Sequence, residues 1–321
     1  MPSKNGTLPP VLKPGQRVAL VAPAGPLLDH DDLTRGQELC RALGFEPVLG
    51  ANVGRRHGYL AGTDDERLGD LNAALADPSV DAVWCLRGGY GLTRILDRVD
   101  FGALERRPKA VIGFSDVTAL LLALHRTTGV VTFHGPMARA PLTPFSRDHF
   151  DRVLTAMKPA GRLGRVAPPA DVLVPRQGRI VGLVPGAAEG RLIGGNLTLL
   201  QCLIGTPYFP DLDGAILFLE DVDEPFYRID RFLTQLWLSG ALAGVAGIVF
   251  GKFTRCEPSA FYVQNRVLED ILAERPRALG VPAIAGFIVG HVDDQATLPI
   301  GCLAALDADA GTLTLLEPGV S

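Results

Sequence analysis

The segment Val111-Ile-Gly-Phe-Ser115-Asp116-Val-Thr-Ala-Leu runs from an apolar stretch into a serine and then directly into a helical pattern. A hydroxyl on so tight a strand-to-helix turn lies beside helix N-terminal amides. This is the form of a nucleophile elbow, although the second glycine of GxSxG is missing. A Ser-Asp pair is also a common helix N-cap, so the serine gains meaning only if a base and an orienting acid join it. A second turn, Leu86-Arg87-Gly-Gly89-Tyr-Gly91, follows the apolar run DAVWCL. Paired glycines at a strand end free N–H groups to face an oxyanion or a phosphate, and the spacing is neither a P-loop nor GxGxxG.

Six histidines could supply the base. His30 and His57 lie in polar loops, and His149 starts or decorates a surface helix. His125 is ten residues into the helix behind Ser115, about 15 Å along its axis. His134, in Thr-Phe-His-Gly-Pro, and His291, after the run AIAGFIVG, both stand at strand exits, and the residues alone do not choose between them. For the acid, Glu220 ends the strand AILFL, with Asp221, Asp223 and Glu224 following. An acidic turn there also suits the N-terminus of a helix at 225–239, so composition does not select one carboxylate.

These residues need elements to position them. Strands are expected at 17–22, 46–49, 81–86, 109–114 and 130–133, with helices at 31–43, 64–76 and 116–126 between them. That alternation argues for a parallel sheet covered on both faces, with functional groups at the carboxyl ends of its strands. The segment 158–178, rich in Pro, Gly and Arg, reads as a connection. Beyond it come strands at 179–184, 215–219, 245–250 and 283–289, helices at 196–204, 225–239 and 262–274, and a hairpin over 302–316. The stripe Phe226, Ile229, Phe232, Leu233, Leu236 and Trp237 faces a core, and Trp84 is a core residue as well.

At 321 residues the chain is long enough for two domains. Its net charge of −4, with no basic block, argues against nucleic acid as a partner. Five scattered cysteines without a CxxC pair argue against a disulfide framework or a structural metal. Neither a leader nor a membrane span is evident, so a cytoplasmic protein is expected, without cofactor, and a homodimer is an option.

The ordered set RGGYG (87–91), GFSD (113–116), TFHGPM (132–137), GGNLTLLQCLIGTP (194–207), LEDVDEPFYRIDR (219–231) and GH…LPIG (290–301) resembles the LD-carboxypeptidase family. These are cytoplasmic serine peptidases of peptidoglycan recycling, together with the related microcin-immunity peptidases. The resemblance implies a flavodoxin-like parallel-sheet domain over 1–157 and a smaller mixed α/β domain over 179–321, with the active site at their interface. It implies a triad of Ser115 as nucleophile, His291 as base and Glu220 as orienter, with the amides of Gly89 and Asp116 as oxyanion hole. The implied substrate is a murein tetrapeptide losing its terminal D-Ala. Arg87, Arg228, Arg231 and Asn196 are candidates for holding it, arginine being suited to a free carboxylate. Two alternatives stand beside this reading. One is an amide hydrolase acting on a peptide–nucleotide antibiotic, which would need an aromatic ring for base stacking. The other is a non-catalytic two-domain binding protein, in which Ser115, Glu220 and His291 need not converge.

Overall fold

The computed structural model describes residues 6–29, 31–164, 179–262, 264 and 266–321. The first half alternates strand and helix as β1 (Arg17–Val21), α1 (Asp31–Ala42), β2 (Glu46–Leu49), α2 (Asp64–Ala76), β3 (Ala82–Cys85), α3 (Phe101–Arg106), β4 (Ala110–Gly113), α4 (Val117–Thr128), β5 (Thr132–His134) and α5 (Pro144–Leu154). The second half continues as β6 (Gly161–Leu163), β7 (Val181–Val184), β8 (Ala187–Asn196), α6 (Leu197–Cys202), β9 (Ile216–Val222), α7 (Phe226–Leu238), β10 (Gly247–Thr254), α8 (Leu268–Leu279), β11 (Ala283–Ala285), β12 (Leu298–Ile300), β13 (Leu303–Asp307) and β14 (Thr312–Leu315). Among the described residues no helix is long and apolar enough to cross a membrane.

The first sheet has the order β2-β1-β3-β4-β5-β12, parallel except for β12. The 2-1-3-4-5 order is the flavodoxin-like one, and its reversal point lies between β1 and β3. Every residue of β3 and β4 is buried, which is why both read as unbroken apolar runs rather than as alternation. Helix α2 starts on a capping box: the Thr63 hydroxyl accepts the Glu66 amide, and the Glu66 carboxylate accepts the Thr63 amide.

The second sheet is mixed, in the order β6-β14-β13-β8-β9-β10-β11-β7. Its centre, β8-β9-β10-β11, is parallel, and its flanks are antiparallel. The two sheets do not divide the chain at a single cut. β6 falls inside the expected connection yet pairs with β14, and residues 165–178 of that connection lie outside the described residues. β12 falls in the expected second domain yet pairs with β5 of the first sheet.

Several expectations are corrected. The helix placed at 262–274 is α8, shifted toward the C-terminus. Phe261 and Tyr262 stand exposed ahead of it, Pro276 is accommodated inside, and Gly280 at φ 68° ends it. The strand placed at 283–289 stops at Ala285, because Gly286 turns the chain at φ 84°. Trp84 is fully buried as expected, but Trp237 is 36% exposed under the guanidinium of Arg275. His149 is buried rather than superficial, with Nδ1 against the Phe145 carbonyl and Nε2 accepting the Gly164 amide.

The sheets meet where β8 runs against α4. Gly194 and Gly195 adopt φ of 149° and 145°, and a methyl group on Gly195 would lie 2.5 Å from Thr118 Cγ2. One residue on, the Asn196 amide donates to Thr118 Oγ1 at 3.1 Å. Only glycine permits this approach. Gly195→Ala should therefore lower the urea midpoint by the equivalent of about 2–3 kcal/mol, through overpacking and backbone strain. An unchanged midpoint would contradict the argument.

Candidate functional site

Ser115 sits two residues beyond β4, at φ 61°. A non-glycine residue in the left-handed region is strained, and such strain is a mark of the nucleophile elbow. Asp116 occupies the N-cap position of α4 but makes no side-chain cap bond. Its carboxylate instead accepts the Leu92 amide at 2.9 Å. The Ser-Asp pair is thus not an ordinary helix cap.

The glycine turn after β3 closes over the serine. A methyl group on Gly88 would lie 2.8 Å from Ser115 Cβ and 3.0 Å from its Oγ. The turn is held from the β1 side, where the Gly25 amide donates to the Gly88 carbonyl at 2.8 Å. Gly89 and Gly91, at φ 104° and 134°, take conformations that side chains rarely adopt. The glycine turn, the β1 loop and the serine thus share the carboxyl edge of the first sheet.

Glu220 lies within β9, opposite Asn196 of β8, and is wholly buried. His291 lies on the crossing between β11 of the second sheet and β12 of the first. The start of this crossing is tied to β10, through Phe287 to Phe250 and Lys252 to Val289. Its far half is tied to α5. The Thr143 hydroxyl donates to Asp294 at 2.6 Å, and the Ser146 hydroxyl donates to the Asp293 carbonyl and accepts the Gln295 amide. Between these anchors the imidazole reaches both partners, with Nδ1 2.8 Å from Glu220 Oε2 and Nε2 3.1 Å from Ser115 Oγ. Phe114 packs against it with ring centroids 4.8 Å apart.

The rival histidines are elsewhere. His134 is fully buried between Phe114 and Phe218, neither ring nitrogen has a partner among the described residues, and burial followed by the nearby His291 pushes its pKa down to about 3. His125 is turned to the Val130 carbonyl. His57 is exposed, and His30 lies outside the described residues. Of the acidic cluster, Asp221 is buried and raised by that burial. It accepts from Asn196 Nδ2, from the Thr198 amide and hydroxyl, and from the Val222 amide. Asp223 is paired with Arg255 through two contacts of 2.6 and 2.8 Å.

Asn196, expected to hold substrate, is 3% exposed, and its side chain donates to Asp221 and caps α6 by accepting the Leu199 amide. Arg228 is engaged with Glu224 and the Phe232 ring, and Arg231 lies over Tyr227, all close neighbours in sequence. Arg87 is half-buried, donates to the Pro26 carbonyl, and has its pKa lowered by burial and then by Arg139. Sequence reasoning did not find Phe114, Thr143, Ser146, or the use made of the Asp116 side chain. Each acts through a contact between distant segments, which no local pattern announces.

A strained serine, an imidazole beside it and a buried carboxylate beyond are arranged as acyl-transfer chemistry requires. Comparison with known proteins agrees. The LD-carboxypeptidase N-terminal domain family matches residues 18–135, and the LD-carboxypeptidase C-terminal domain family matches residues 189–306. A putative carboxypeptidase of Streptomyces coelicolor is 44% identical over 97% of both chains. The murein tetrapeptide carboxypeptidase of Pseudomonas aeruginosa is 38% identical, over 96% of this chain and 97% of its own. The microcin C7 self-immunity protein of Escherichia coli is 29% identical over 89% of this chain and 88% of its own. Its structure with glutamyl sulfamoyl guanosine aligns at a TM-score of 0.85 and 26% identity, over 98% of this chain and 99% of the other. With both domain families matched in order and relatives aligned nearly end to end, the chain belongs to the LD-carboxypeptidase family and is a serine carboxypeptidase.

Proposed function

We propose that the chain hydrolyses the amide between the L-centre of diaminopimelate or lysine and the terminal D-Ala of murein tetrapeptides, in the cytoplasmic recycling of peptidoglycan, with Ser115, His291 and Glu220 as its catalytic triad. The observation that carries this is the single imidazole within hydrogen-bond distance of both the strained serine and the buried carboxylate. Ser115 Oγ attacks the scissile carbonyl as His291 Nε2 takes its proton. Glu220 accepts from Nδ1–H, fixing the tautomer and stabilising the imidazolium. The amides of Gly89 and Asp116 receive the tetrahedral oxyanion. His291 then gives its proton to the departing D-alanine amine, and water releases the tripeptide from the acyl-enzyme.

The buried, unsolvated setting of Glu220 fits this role, since a fixed acceptor needs no reorganisation as the imidazole becomes charged. For the free carboxylate of the substrate we assign Arg87, which precedes the glycine turn and has Arg139 and Arg56 as neighbouring cations. Likeness to the microcin self-immunity protein favours a second reading, cleavage of a peptide–nucleotide amide by the same triad. The connection 158–180 carries no aromatic residue to stack on a base, and this favours the murein peptide.

Incubation with murein tetrapeptide should release D-Ala, and Ser115→Ala should lower kcat by at least about 10³-fold at an unchanged melting temperature. Turnover near wild type in that variant would refute the nucleophile. Glu220→Gln preserves shape but removes the anion facing the imidazolium. It should lower kcat by about 10²–10⁴-fold with little change in KM, measured by steady-state D-Ala release. A loss confined to KM would contradict the orienting role.

A further inference from the structure

Two buried charges behind the glycine turn take no part in the chemistry just described. Arg67 of α2 and Asp116 at the start of α4 are each 1% exposed. Arg67 Nη1 donates to the Gly91 carbonyl at 3.0 Å and also to the Pro23 carbonyl. Asp116 Oδ2 accepts the Leu92 amide at 2.9 Å. The Gly91 carbonyl and the Leu92 amide are the two ends of one peptide unit, so a cation and an anion grip it from opposite sides. The fit is close: a methyl group on Gly91 would lie 2.8 Å from Arg67 Nη1.

We propose that Arg67 and Asp116 are positioning residues that clamp the Gly91–Leu92 peptide and thereby set the Gly89 amide against the Asp116 amide as one oxyanion hole. This rests on the catalytic reading above. Asp116 then acts twice. Its backbone amide is one donor, and its side chain fixes the loop that carries the other. A displacement of either donor by a fraction of an ångström matters only when charge develops on the carbonyl oxygen, so the clamp acts on the transition state rather than on substrate binding. Burying an arginine and a carboxylate is unfavourable unless both are hydrogen-bonded, and each here is bonded to backbone that cannot move without the loop.

The groups facing the Asp116 carboxylate are the amides of Gly91 and Leu92, the Arg67 guanidinium from α2 and the Cys202 thiol from α6. Arg67 is in turn paired with Asp64 at 2.5 Å. Burial raises Asp116 to about 6. The ionised form is the stronger acceptor for the Leu92 amide, so the clamp weakens as pH falls through that value.

The test uses D-Ala release from murein tetrapeptide by the full chain and its Asp116→Ala, Asp116→Asn, Arg67→Met and Asp116→Ala/Arg67→Met variants, each checked for a cooperative melt. Each single truncation should lower kcat by about 10²-fold with KM within about threefold, and the double variant should lose far less than the product, because one peptide unit is released in both. Asp116→Asn should lose the part of the acid limb of kcat that falls near pH 6. If Asp116→Ala does not fold, Arg67→Met gives the same kcat readout with the elbow intact. A folded Asp116→Ala with kcat within threefold of wild type, losses that multiply, or an Asp116→Asn acid limb identical to wild type would each overturn the clamp. If the wild type released no D-Ala, the substrate reading alone would fail. The same variants would then be compared by acylation of Ser115 with a p-nitrophenyl ester, where the same losses are expected.

Discussion

The site depends on a close approach between two sheets that the chain could easily have kept apart. Ser115 belongs to the carboxyl edge of the first sheet and Glu220 to the buried centre of the second. They come within reach of one imidazole because the paired glycines of β8 let that strand run against α4, the helix that begins at the serine. His291 completes the bridge from a crossing whose two ends are anchored on different sheets. An imidazole held at both ends of its loop is pre-organised, as the proposed acid–base transfer requires.

Local strain and burial serve the same end. The positive φ of Ser115 projects its hydroxyl out of the strand-to-helix turn, and the glycine turn can pack over it only because Gly88 has no side chain. Around this half-buried hydroxyl the polar groups are deeply enclosed. Glu220, Asp221, Asn196 and Asp116 are all buried, and three of the four have hydrogen bonds that fix a backbone amide. Asp221 and Asn196 hold the start of α6 beside Glu220 and carry none of the proposed chemistry themselves. Such enclosed networks are costly when incomplete, and this ties the integrity of the second sheet to that of the site.

Much of this was legible in the sequence, and the exceptions share a cause. The runs RVALV, AVWC and AVIG announced buried parallel strands, and the strand order that results is the flavodoxin-like one. The serine elbow is readable from its turn, but the residues alone do not separate His134 from His291, and only the resemblance to the family's ordered motifs does. β8 escaped notice because AAEGRLIGGN is rich in glycine and lacks alternation, and β12 because three residues of a loop-like stretch pair with a strand more than 160 positions earlier. Asn196 had the chemistry of a ligand-binding residue, yet an N-cap and a buried carboxylate claim it. Residue type indicates what a side chain can do, and only the fold decides which of its partners arrives.

The central claim is that Ser115 is made nucleophilic by His291 and Glu220 across the seam between the sheets. Its most direct test is to react the protein with a fluorophosphonate and map the adduct by peptide mass spectrometry, in the wild type and in His291→Ala. A single adduct on Ser115, with labelling slowed by at least about 10²-fold in His291→Ala, is the expected result. An adduct on another residue, or undiminished labelling of Ser115 without His291, would contradict it.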